Sequence, residues 1–374
     1  MNRIISFIKM ETVLSIAVLL AVISAFFVPP DLEYIGYIDF RTLAILFCLM
    51  AVMAGLKEIG VFMQLSKQLL RRLRTLRQIV LVLVMLCFFG SMLITNDVAL
   101  ITFVPLAMIV LDMLGEDVKD KWLITVVVMQ TIAANLGSML TPIGNPQNLY
   151  LYGKSGMDFG SFINLMLPYC GISLVLLLVW IVIGFRKERD TIQIRFGQGK
   201  MPSQKKILLM YVILFIVSLL TVARIIPYQV LLLITCACVF IMDRRTFRNV
   251  DYFLLLTFVA FFVFIGNMGR IDSFHRFLEQ MIQGRELITA VLCSQVMSNV
   301  PSALLLSGFT EKYETLVVGT NLGGLGTLVA SMASLISFKY VTKEAKHLRG
   351  TYMIQFTLAN ILFLLVLMAV ERWI

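Results

Sequence analysis

Two polar segments, present in both halves of the chain, interrupt otherwise apolar stretches and limit most strongly how it can fold. The first copy comprises residues 94–103 (ITNDVALITF) and 134–148 (ANLGSMLTPIGNPQN). The second comprises residues 297–306 (MSNVPSALLL) and 320–334 (TNLGGLGTLVASMAS). Lipid cannot satisfy backbone groups freed at bilayer depth, so such segments must be buried in protein or line a cavity. Matching copies in two halves are typical of membrane proteins built from internal repeats.

The composition identifies a polytopic membrane protein. The chain is 59% hydrophobic and only 14% charged, whereas soluble domains carry about 25% charged residues. We interpret residues 1–36 as a first transmembrane helix rather than a cleaved leader, because no small-residue cleavage pattern follows the apolar run. The lipid bilayer is therefore the expected environment, and every apolar stretch is a candidate helix.

The basic residues predict the topology. Lysine and arginine cluster at 71–77, 186–206, 244–248 and 339–349, beside the ends of apolar stretches. Cytoplasmic loops carry this excess, so we predict a cell membrane protein with a cytoplasmic amino terminus and an external carboxyl terminus. The net charge of +10 then reflects membrane orientation and gives no reason to expect a nucleic acid partner.

Two re-entrant hairpins are predicted, at about residues 79–111 and 287–309. The apolar arms of the first are about 16 and 14 residues long, shorter than the roughly 20 residues of a full span. Its polar tip is Thr95, Asn96 and Asp97, and the tip of the second is residues 298–301 (SNVP). Because apolar residues flank both tips closely, we expect each hairpin to enter and leave on one side.

The halves also match outside the polar segments. Asp39 and Asp251 precede similar apolar stretches and are predicted helix caps. Repeat 1 then covers about residues 37–185 and repeat 2 about 249–374. The charge pattern reverses their direction, which makes the repeat inverted. A cytoplasmic linker (186–206) and connecting helices (207–248) lie between the repeats.

Each repeat should contain one broken transmembrane helix, at about residues 123–150 and 316–338. Pro142 and Pro146 cannot continue a regular helix, and Gly323, Gly324 and Gly326 loosen the second copy. A break exposes free carbonyls at one helix end and free amides at the other, with about half a charge of each sign. Carbonyls can bind Na⁺, and amides can bind an anion.

The predicted fold is therefore all-α, with two hairpin tips and two breaks that meet in one binding site. Any Na⁺ is expected near Asn96, Asn135, Asn299 and Asn321, without a dedicated metal centre. The candidate substrate and ion ligands share small polar side chains or a glycine within the inserts: Thr95, Asn96, Asp97, Asn135, Gly137, Thr141, Asn145, Asn148, Ser298, Asn299, Asn321, Gly323, Thr327, Ser331 and Ser334.

Asp97 is the only acidic residue in the inserts, and Val300 occupies its counterpart position. A charged aspartate at mid-membrane costs roughly 3 kcal/mol, so a function is expected for it. It could bind a cation, carry the coupling proton, or simply cap the helix that follows. No lysine or arginine lies in the inserts, so amides, hydroxyls or co-bound cations must meet negative charge on a substrate.

These segments resemble the ion transporter superfamily of citrate transporter-like permeases, divalent-anion/sodium symporters, arsenite permeases and one group of sodium/proton antiporters. Residues 298–301 are similar to the Ser-Asn-Thr tip of the sodium symporters, with valine for threonine. The Asn96-Asp97 pair is closer to the arsenite permeases. Residues 144–148 (GNPQN) resemble the Gly-Asp-Pro-Pro-Asn loop of citrate-like permeases, with Asn145 for the acid.

The resemblance covers most of the chain and implies an inverted-repeat fold, often dimeric, with a sliding substrate-binding block. We therefore expect a secondary active transporter of a small anion, a di- or tricarboxylate or an inorganic oxyanion, coupled to Na⁺ or H⁺. The alternative is an arsenite or antimonite efflux permease or a Na⁺/H⁺ antiporter. An enzyme is not expected, because the sequence has no HExxH motif, His/Cys cluster or nucleotide loop.

Overall fold

The described part of the chain is entirely helical apart from turns and loops. The computed structural model describes residues 11–71, 73–188 and 204–372, and within these ranges it contains no β-strand. The linker prediction at 186–206 falls mostly outside them, as does the extreme carboxyl terminus. A helix satisfies its own backbone hydrogen bonds, which is what a chain surrounded by lipid requires.

Seven helices of the described residues are long and apolar enough to cross a membrane, and this confirms the predicted all-α polytopic class. They are α3 (Phe40–Ile59), α5 (Leu76–Ile94), α6 (Asn96–Met113), α9 (Phe159–Gly184), α10 (Lys205–Val222), α12 (Tyr252–Gly269) and the segment Lys346–Glu371, which contains α18 (Arg349–Glu371).

The other helices are shorter or, in the case of the 23-residue α7, less apolar. They are α1 (Thr12–Phe27), α2 (Glu33–Tyr37), α4 (Val61–Leu70), α7 (Glu116–Ser138), α8 (Pro146–Ser155), α11 (Tyr228–Asp243), α13 (Asp272–Ile282), α14 (Glu286–Met297), α15 (Asn299–Leu306), α16 (Tyr313–Gly323) and α17 (Met332–Glu344).

The same order of elements occurs twice, from α3 to α9 and from α12 to α18. Each series begins with an aspartate cap: the Asp39 carboxylate accepts from the Thr42 amide, and the Asp251 carboxylate accepts from the Leu254 amide. Both predicted caps are confirmed. In each series a short helix, a helical pair, an interrupted helix and a final long helix follow.

The two helical pairs differ in length. We call α5 with α6 the first hairpin and α14 with α15 the second hairpin. The first hairpin has helices of 19 and 18 residues, longer than the apolar stretches indicated, so arm length no longer argues that it is re-entrant. The second has 12 and 8 residues and is too short to cross.

The chain leaves the helical conformation at both predicted breaks. We call α7, residues 139–145 and α8 the first interrupted helix. Residues 324–331 separate α16 from α17 in the second interrupted helix. Pro146 occupies the first position of α8, where its missing N–H costs nothing. Asn145 caps that helix, because its side-chain oxygen accepts from the Asn148 amide at 2.9 Å.

Hairpins and interrupted helices pack into one central body. The first hairpin packs on α7 and the second hairpin on α16, while α16 contacts α8 and α17 contacts both α6 and α7. The inserts of both halves therefore meet in its interior. Helices α7, α8 and α16 are buried along most of their length.

The remaining helices support this body in a crossed arrangement. Helix α1, which leads into the first series, packs along α12 of the second, whereas α10 and α11, which lead into the second series, pack on α3 of the first. The side-chain amide of Asn267 donates to Ser24 Oγ at 2.9 Å and to Tyr34 Oη at 2.8 Å. Beyond the helix ends, Arg270 lies 2.6 Å from Asp31 and lowers the pKa of that carboxyl.

Candidate functional site

The two hairpin tips share one unusual backbone conformation. Thr95 has φ 67° and ψ 152°, and Ser298 has φ 76° and ψ 156°. Residues other than glycine rarely adopt this region, which costs of the order of 1–3 kcal/mol. Such strain persists only where surrounding contacts impose it. Two matched instances therefore indicate that the surrounding structure holds both tips in this conformation.

Glycine tests this strain directly. We expect Thr95→Gly and Ser298→Gly to be more stable than Thr95→Ala and Ser298→Ala, by about 1 kcal/mol, because glycine tolerates positive φ. At Thr102, inside α6, the order should reverse, since glycine destabilises a helix interior by roughly 0.5–1 kcal/mol. Thermal unfolding of the purified variants measures the difference, and an alanine preference at both tips would contradict it.

Each tip is fixed to the interrupted helix of its own half. The Asn96 amide donates to the Gly144 carbonyl at 3.0 Å, and the Asn299 amide donates to the Ala330 carbonyl at 3.0 Å. Gly144 and Ala330 both directly precede the residue at the N-cap position of the second part of the interrupted helix. In each half, this bond places the start of the hairpin's second helix beside the start of the second part of the interrupted helix.

Asn135, from α7, connects the first half to the second. Its side-chain oxygen accepts from Asn96 Nδ2 at 3.3 Å and from Ser331 Oγ at 3.1 Å. Its nitrogen donates to Ser334 Oγ at 3.2 Å. All four residues are buried, so the amide of the first interrupted helix lies at the start of α17 in the second.

Asn321, from α16, makes the reciprocal connection. Its side-chain oxygen accepts from Asn145 Nδ2 at 3.1 Å, and its nitrogen donates to Asn148 Oδ1 at 2.6 Å. Asn145 and Asn148 begin α8 of the first half. Each interrupted helix therefore inserts an asparagine from its first part into the start of the second part of the other. We call these two clusters the central asparagine network.

Two predicted glycines allow this close approach. A Cβ on Gly137 would overlap the Phe88 carbonyl of α5, and it would lie 2.7 Å from Ser91 Oγ. A Cβ on Gly323 would lie 2.6 Å from Ser294 Oγ of α14. Neither glycine supplies a ligand side chain. Both instead let an interrupted helix touch its hairpin directly, which positions the asparagine two residues earlier.

Thr141, Thr327 and Asn299 are among the predicted ligands that do not join the network. Thr141 Oγ1 donates to the Met92 carbonyl at 2.5 Å and Thr327 Oγ1 to the Gln295 carbonyl at 3.1 Å. These hydroxyls attach the break loops to the hairpins. Asn299 is buried, yet within the described residues its side chain forms a hydrogen bond only with Ser298 Oγ, at 3.4 Å. Its amide nitrogen is left for another partner.

Asp97 and Asn145 line a cavity of about 490 Å³. Thr95 lies in its wall, and the opposite wall is the apolar face of α3, including Leu49 and Met53. The cavity thus extends from the first hairpin tip and the first break to a supporting helix. A volume of this size suits a small organic or inorganic solute.

Sequence reasoning missed three charged residues of this cavity. Lys57 and Glu58 come from the end of α3, and Asp251 precedes α12. Glu58 also accepts from the Asn249 side chain at 3.2 Å. Their only sequence signal is a charge at a helix terminus, which solvated residues share. With Asp97, the cavity lining contains three carboxylates and one lysine.

The face of α8 that points away from the cavity is closed by packing. Tyr150 is buried and its hydroxyl lies 2.8 Å from Ser307 Oγ. Its ring contacts Phe258 and Phe262 of α12 at centroid distances of 6.3 and 5.7 Å. These four residues bring α8, α12 and the end of the second hairpin together. The open volume beside the network therefore lies toward Asp97.

Comparison with known proteins gives one family over most of the chain. A family model described as "Citrate transporter" matches residues 4–311. An uncharacterized transporter of Methanocaldococcus jannaschii is 30% identical over 341 residues, which cover 91% of this chain and 92% of the relative. The inner membrane protein YbiR of Escherichia coli is 32% identical over 321 residues, 84% of each chain.

A shorter similarity extends to plants. The silicon efflux transporter LSI3 of Oryza sativa subsp. japonica is 32% identical over 145 residues, which cover 38% of this chain and 29% of the relative. The whole-chain relatives are named for transport or for their membrane location, and the partial relative is named for efflux of an inorganic solute.

Proposed function

Because this chain belongs to the citrate transporter family, we propose that it is a secondary active transporter of a small anion, a di- or tricarboxylate or an inorganic oxyanion. The family is one of transporters, so membership supports transport across a membrane. The class of solute and the coupling ion are what we propose here for this chain.

The observation that carries the proposal is the convergence of helix starts on the central asparagine network. Asn96 begins α6 and Asn299 begins α15. Asn145 caps α8, and Ser331 occupies the N-cap position of α17. A helix start carries about half a positive charge and free amides, which favour an anion. The side chains of the central asparagine network itself are uncharged amides and hydroxyls, so they can orient a substrate without binding it too tightly for release.

The two-fold repetition supports an alternating mechanism. The matched tip bonds, the reciprocal asparagines and the matched glycines are what an inverted repeat with its site at the repeat interface would contain. We therefore propose that residues 37–185 and 249–374 are inverted repeats, with the amino terminus in the cytoplasm. Labelling of single cysteines introduced near Lys57 and Arg270 from opposite sides of the membrane tests the orientation.

Flux measurements test the transport proposal. The purified full chain in proteoliposomes should accumulate citrate, another small carboxylate or an oxyanion against its gradient when a pH gradient is imposed. Asn96→Ala and Asn299→Ala should each reduce that uptake strongly, because both residues lie at the hairpin tips. Intact transport in both variants would reject the site, and equilibration without accumulation would indicate a passive channel.

Asp97 is the proposed coupling residue, with H⁺ as the coupled ion. It lines the cavity directly beside the first tip, and Val300 occupies its counterpart position. The charged groups that share its cavity are Lys57 and Glu58 from α3 and Asp251 before α12. A carboxylate near these charged groups can exchange a proton with water in the cavity while the solute is bound.

Replacing Asp97 by asparagine should abolish the dependence of uptake on a pH gradient, since the amide cannot release a proton. Flux in proteoliposomes with and without the gradient measures this. Glu58→Gln removes a carboxylate from the same cavity and is the matched control, for which gradient dependence should persist. An Asp97→Asn variant that still accumulates substrate with the wild-type pH profile would assign coupling elsewhere.

A second candidate is efflux of a neutral weak acid such as undissociated arsenite or antimonite. The excess of carboxylates over lysine in the cavity disfavours a solute with several negative charges. The partial similarity to a silicon efflux transporter also concerns export of an inorganic solute. Growth rescue of arsenite-sensitive cells, without accumulation of carboxylates in proteoliposomes, would favour this candidate.

A further inference from the structure

The first break loop is closed by a side-chain amide of the chain itself. Asn148 Nδ2 lies 3.4 Å from the Ser138 carbonyl, 3.3 Å from the Met139 carbonyl and 3.2 Å from the Thr141 carbonyl. Asn148 is fully buried. The carbonyls that face inward where α7 ends therefore surround an N–H donor group.

The second break loop is closed in the same way by a different residue. Gln295 Nε2 donates to the Gly323 and Leu325 carbonyls, both at 2.9 Å, and contacts Val291 O of its own helix at 3.2 Å. Its side-chain oxygen accepts from the Thr327 amide at 2.9 Å. Gln295 thus joins the second hairpin to the loop through both ends of its amide.

The two amides come from positions that are not equivalent in the repeat. The counterpart of Asn148 is Ser334, and the counterpart of Gln295, three residues before the other tip, is Met92. Neither serine nor methionine can place an amide among these carbonyls. In the register that pairs Asn135 with Asn321, Met139 corresponds to Leu325, and the carbonyls of both lie beside an amide nitrogen, from Asn148 in the first half and from Gln295 in the second. Each break loop therefore receives an amide donor from a residue that the other half lacks.

Carbonyls at such breaks are the groups that coordinate Na⁺ in transporters with discontinuous helices. Here the hydrogens of an amide, which carry partial positive charge, lie among them and would repel a cation. The side-chain oxygens are also engaged: Asn96 Oδ1 accepts from the Asp97 amide, Asn135 Oδ1 from Ser331, and Asn321 Oδ1 from Asn145. These residues do not fit a Na⁺ site.

We propose that Asn148 and Gln295 act as built-in substitutes for a bound cation at the two breaks, so that this chain folds and transports without Na⁺. The transport part rests on the proposed function, whereas the ion-binding part does not. Asn148 and Gln295 are positioning residues in this scheme, because their amide nitrogens hold the carbonyls. Asn148 Oδ1 also accepts from Asn321 in the central asparagine network.

Thermal unfolding of the purified full chain in NaCl, KCl and N-methyl-D-glucamine chloride at equal ionic strength tests the proposal. Wild-type protein should unfold at the same temperature in all three salts. Asn148→Ser and Gln295→Met introduce the residues found at the counterpart positions. Each removes the amide donor from the carbonyls of its break loop. Each should unfold at a lower temperature in KCl and should recover in NaCl with a saturable dependence on Na⁺ concentration.

Asn360→Leu is the matched control, since Asn360 donates only to Phe356 of its own helix within the described residues. It should show no difference between NaCl and KCl. A saturable rise of the wild-type unfolding temperature with Na⁺ would overturn the proposal, as would variants that lose stability without any recovery in Na⁺. Binding of ²²Na⁺ to wild-type protein gives the same decision if a variant fails to fold.

Flux separates this proposal from the proposed function. Wild-type proteoliposomes should accumulate substrate at equal rates when KCl replaces NaCl. If no anion is accumulated in either salt, the transport proposal fails, while the salt dependence of unfolding still decides whether the amides replace a cation. If accumulation requires Na⁺, transport stands and the role of Asn148 and Gln295 is rejected.

Discussion

Replacing Asn135 by leucine should abolish transport. The substitution keeps the approximate side-chain volume but removes three buried hydrogen bonds, to Asn96, Ser331 and Ser334. A buried polar group left without a partner costs roughly 1–3 kcal/mol, and three are left here. The start of α17 would lose its contact with α7, so the two halves would no longer share one site. Uptake per folded molecule in proteoliposomes should fall to background.

Asn360→Leu also controls this experiment. Asn360 is fully buried in α18, and its side-chain oxygen has no partner among the described residues. Removing that amide should leave uptake intact and stability unchanged or slightly higher. Asn321→Leu should match Asn135→Leu, because Asn321 makes the reciprocal bonds. Wild-type uptake by the Asn135→Leu protein would show that the central asparagine network is structural packing alone.

The substitution Gly137→Ala should cause a large loss of stability in the central body, comparable with Gly144→Ala, where the added Cβ would meet the Ser138 backbone. The Cβ added at Gly137 meets the Phe88 carbonyl, a backbone atom that cannot rotate away. Helix α5 would have to move away from α7, at a cost of about 1–3 kcal/mol by analogy with overpacked cores. Thermal unfolding of purified protein, together with uptake, measures both consequences.

Alanine substitutions at two other glycines give a graded comparison with Gly137→Ala. At Gly323 the added Cβ would meet Ser294 Oγ at 2.6 Å and Ser294 Cβ at 2.8 Å, and the nearest backbone atom is 3.1 Å away. Alanine there should therefore cost less than at Gly137. At Gly171, inside α9, a Cβ meets nothing within 4 Å. Gly171→Ala should therefore be neutral or stabilising by up to about 1 kcal/mol. Equal losses at Gly137 and Gly171 would show that helix propensity, and not close packing, governs these positions.

Local signals in the sequence predicted the elements that depend on neighbouring residues. Asp39 and Asp251 indicated two helix starts, and proline and glycine indicated where α7 and α16 end. The apolar stretches underestimated the length of the first hairpin, because α5 also includes polar residues such as Gln78. Hydropathy alone therefore does not give the ends of these helices.

The pairing of the site residues could not be predicted in the same way. The register of Asn135 and Asn321 was visible, but nothing local indicates that each bonds across to the other half. Gln295 is a single amide in an apolar helix, and its four partners lie within its own helix and a loop about 30 residues away. Asp251 reaches the cavity only because α12 packs beside α3.

The crossed packing of α1 on α12 affects how the chain can be made. Ser24 and its partner Asn267 are separated by 243 positions, so the ribosome must complete most of the polypeptide before α1 meets its neighbour. Until then the inserted amino-terminal helices lie in the membrane without the contacts that α12 provides. The insertion machinery or a chaperone has to shield the surface of α1 that packs on α12. Expression of the first half alone should accordingly give degraded protein, whereas co-expression of both halves as separate polypeptides should restore it.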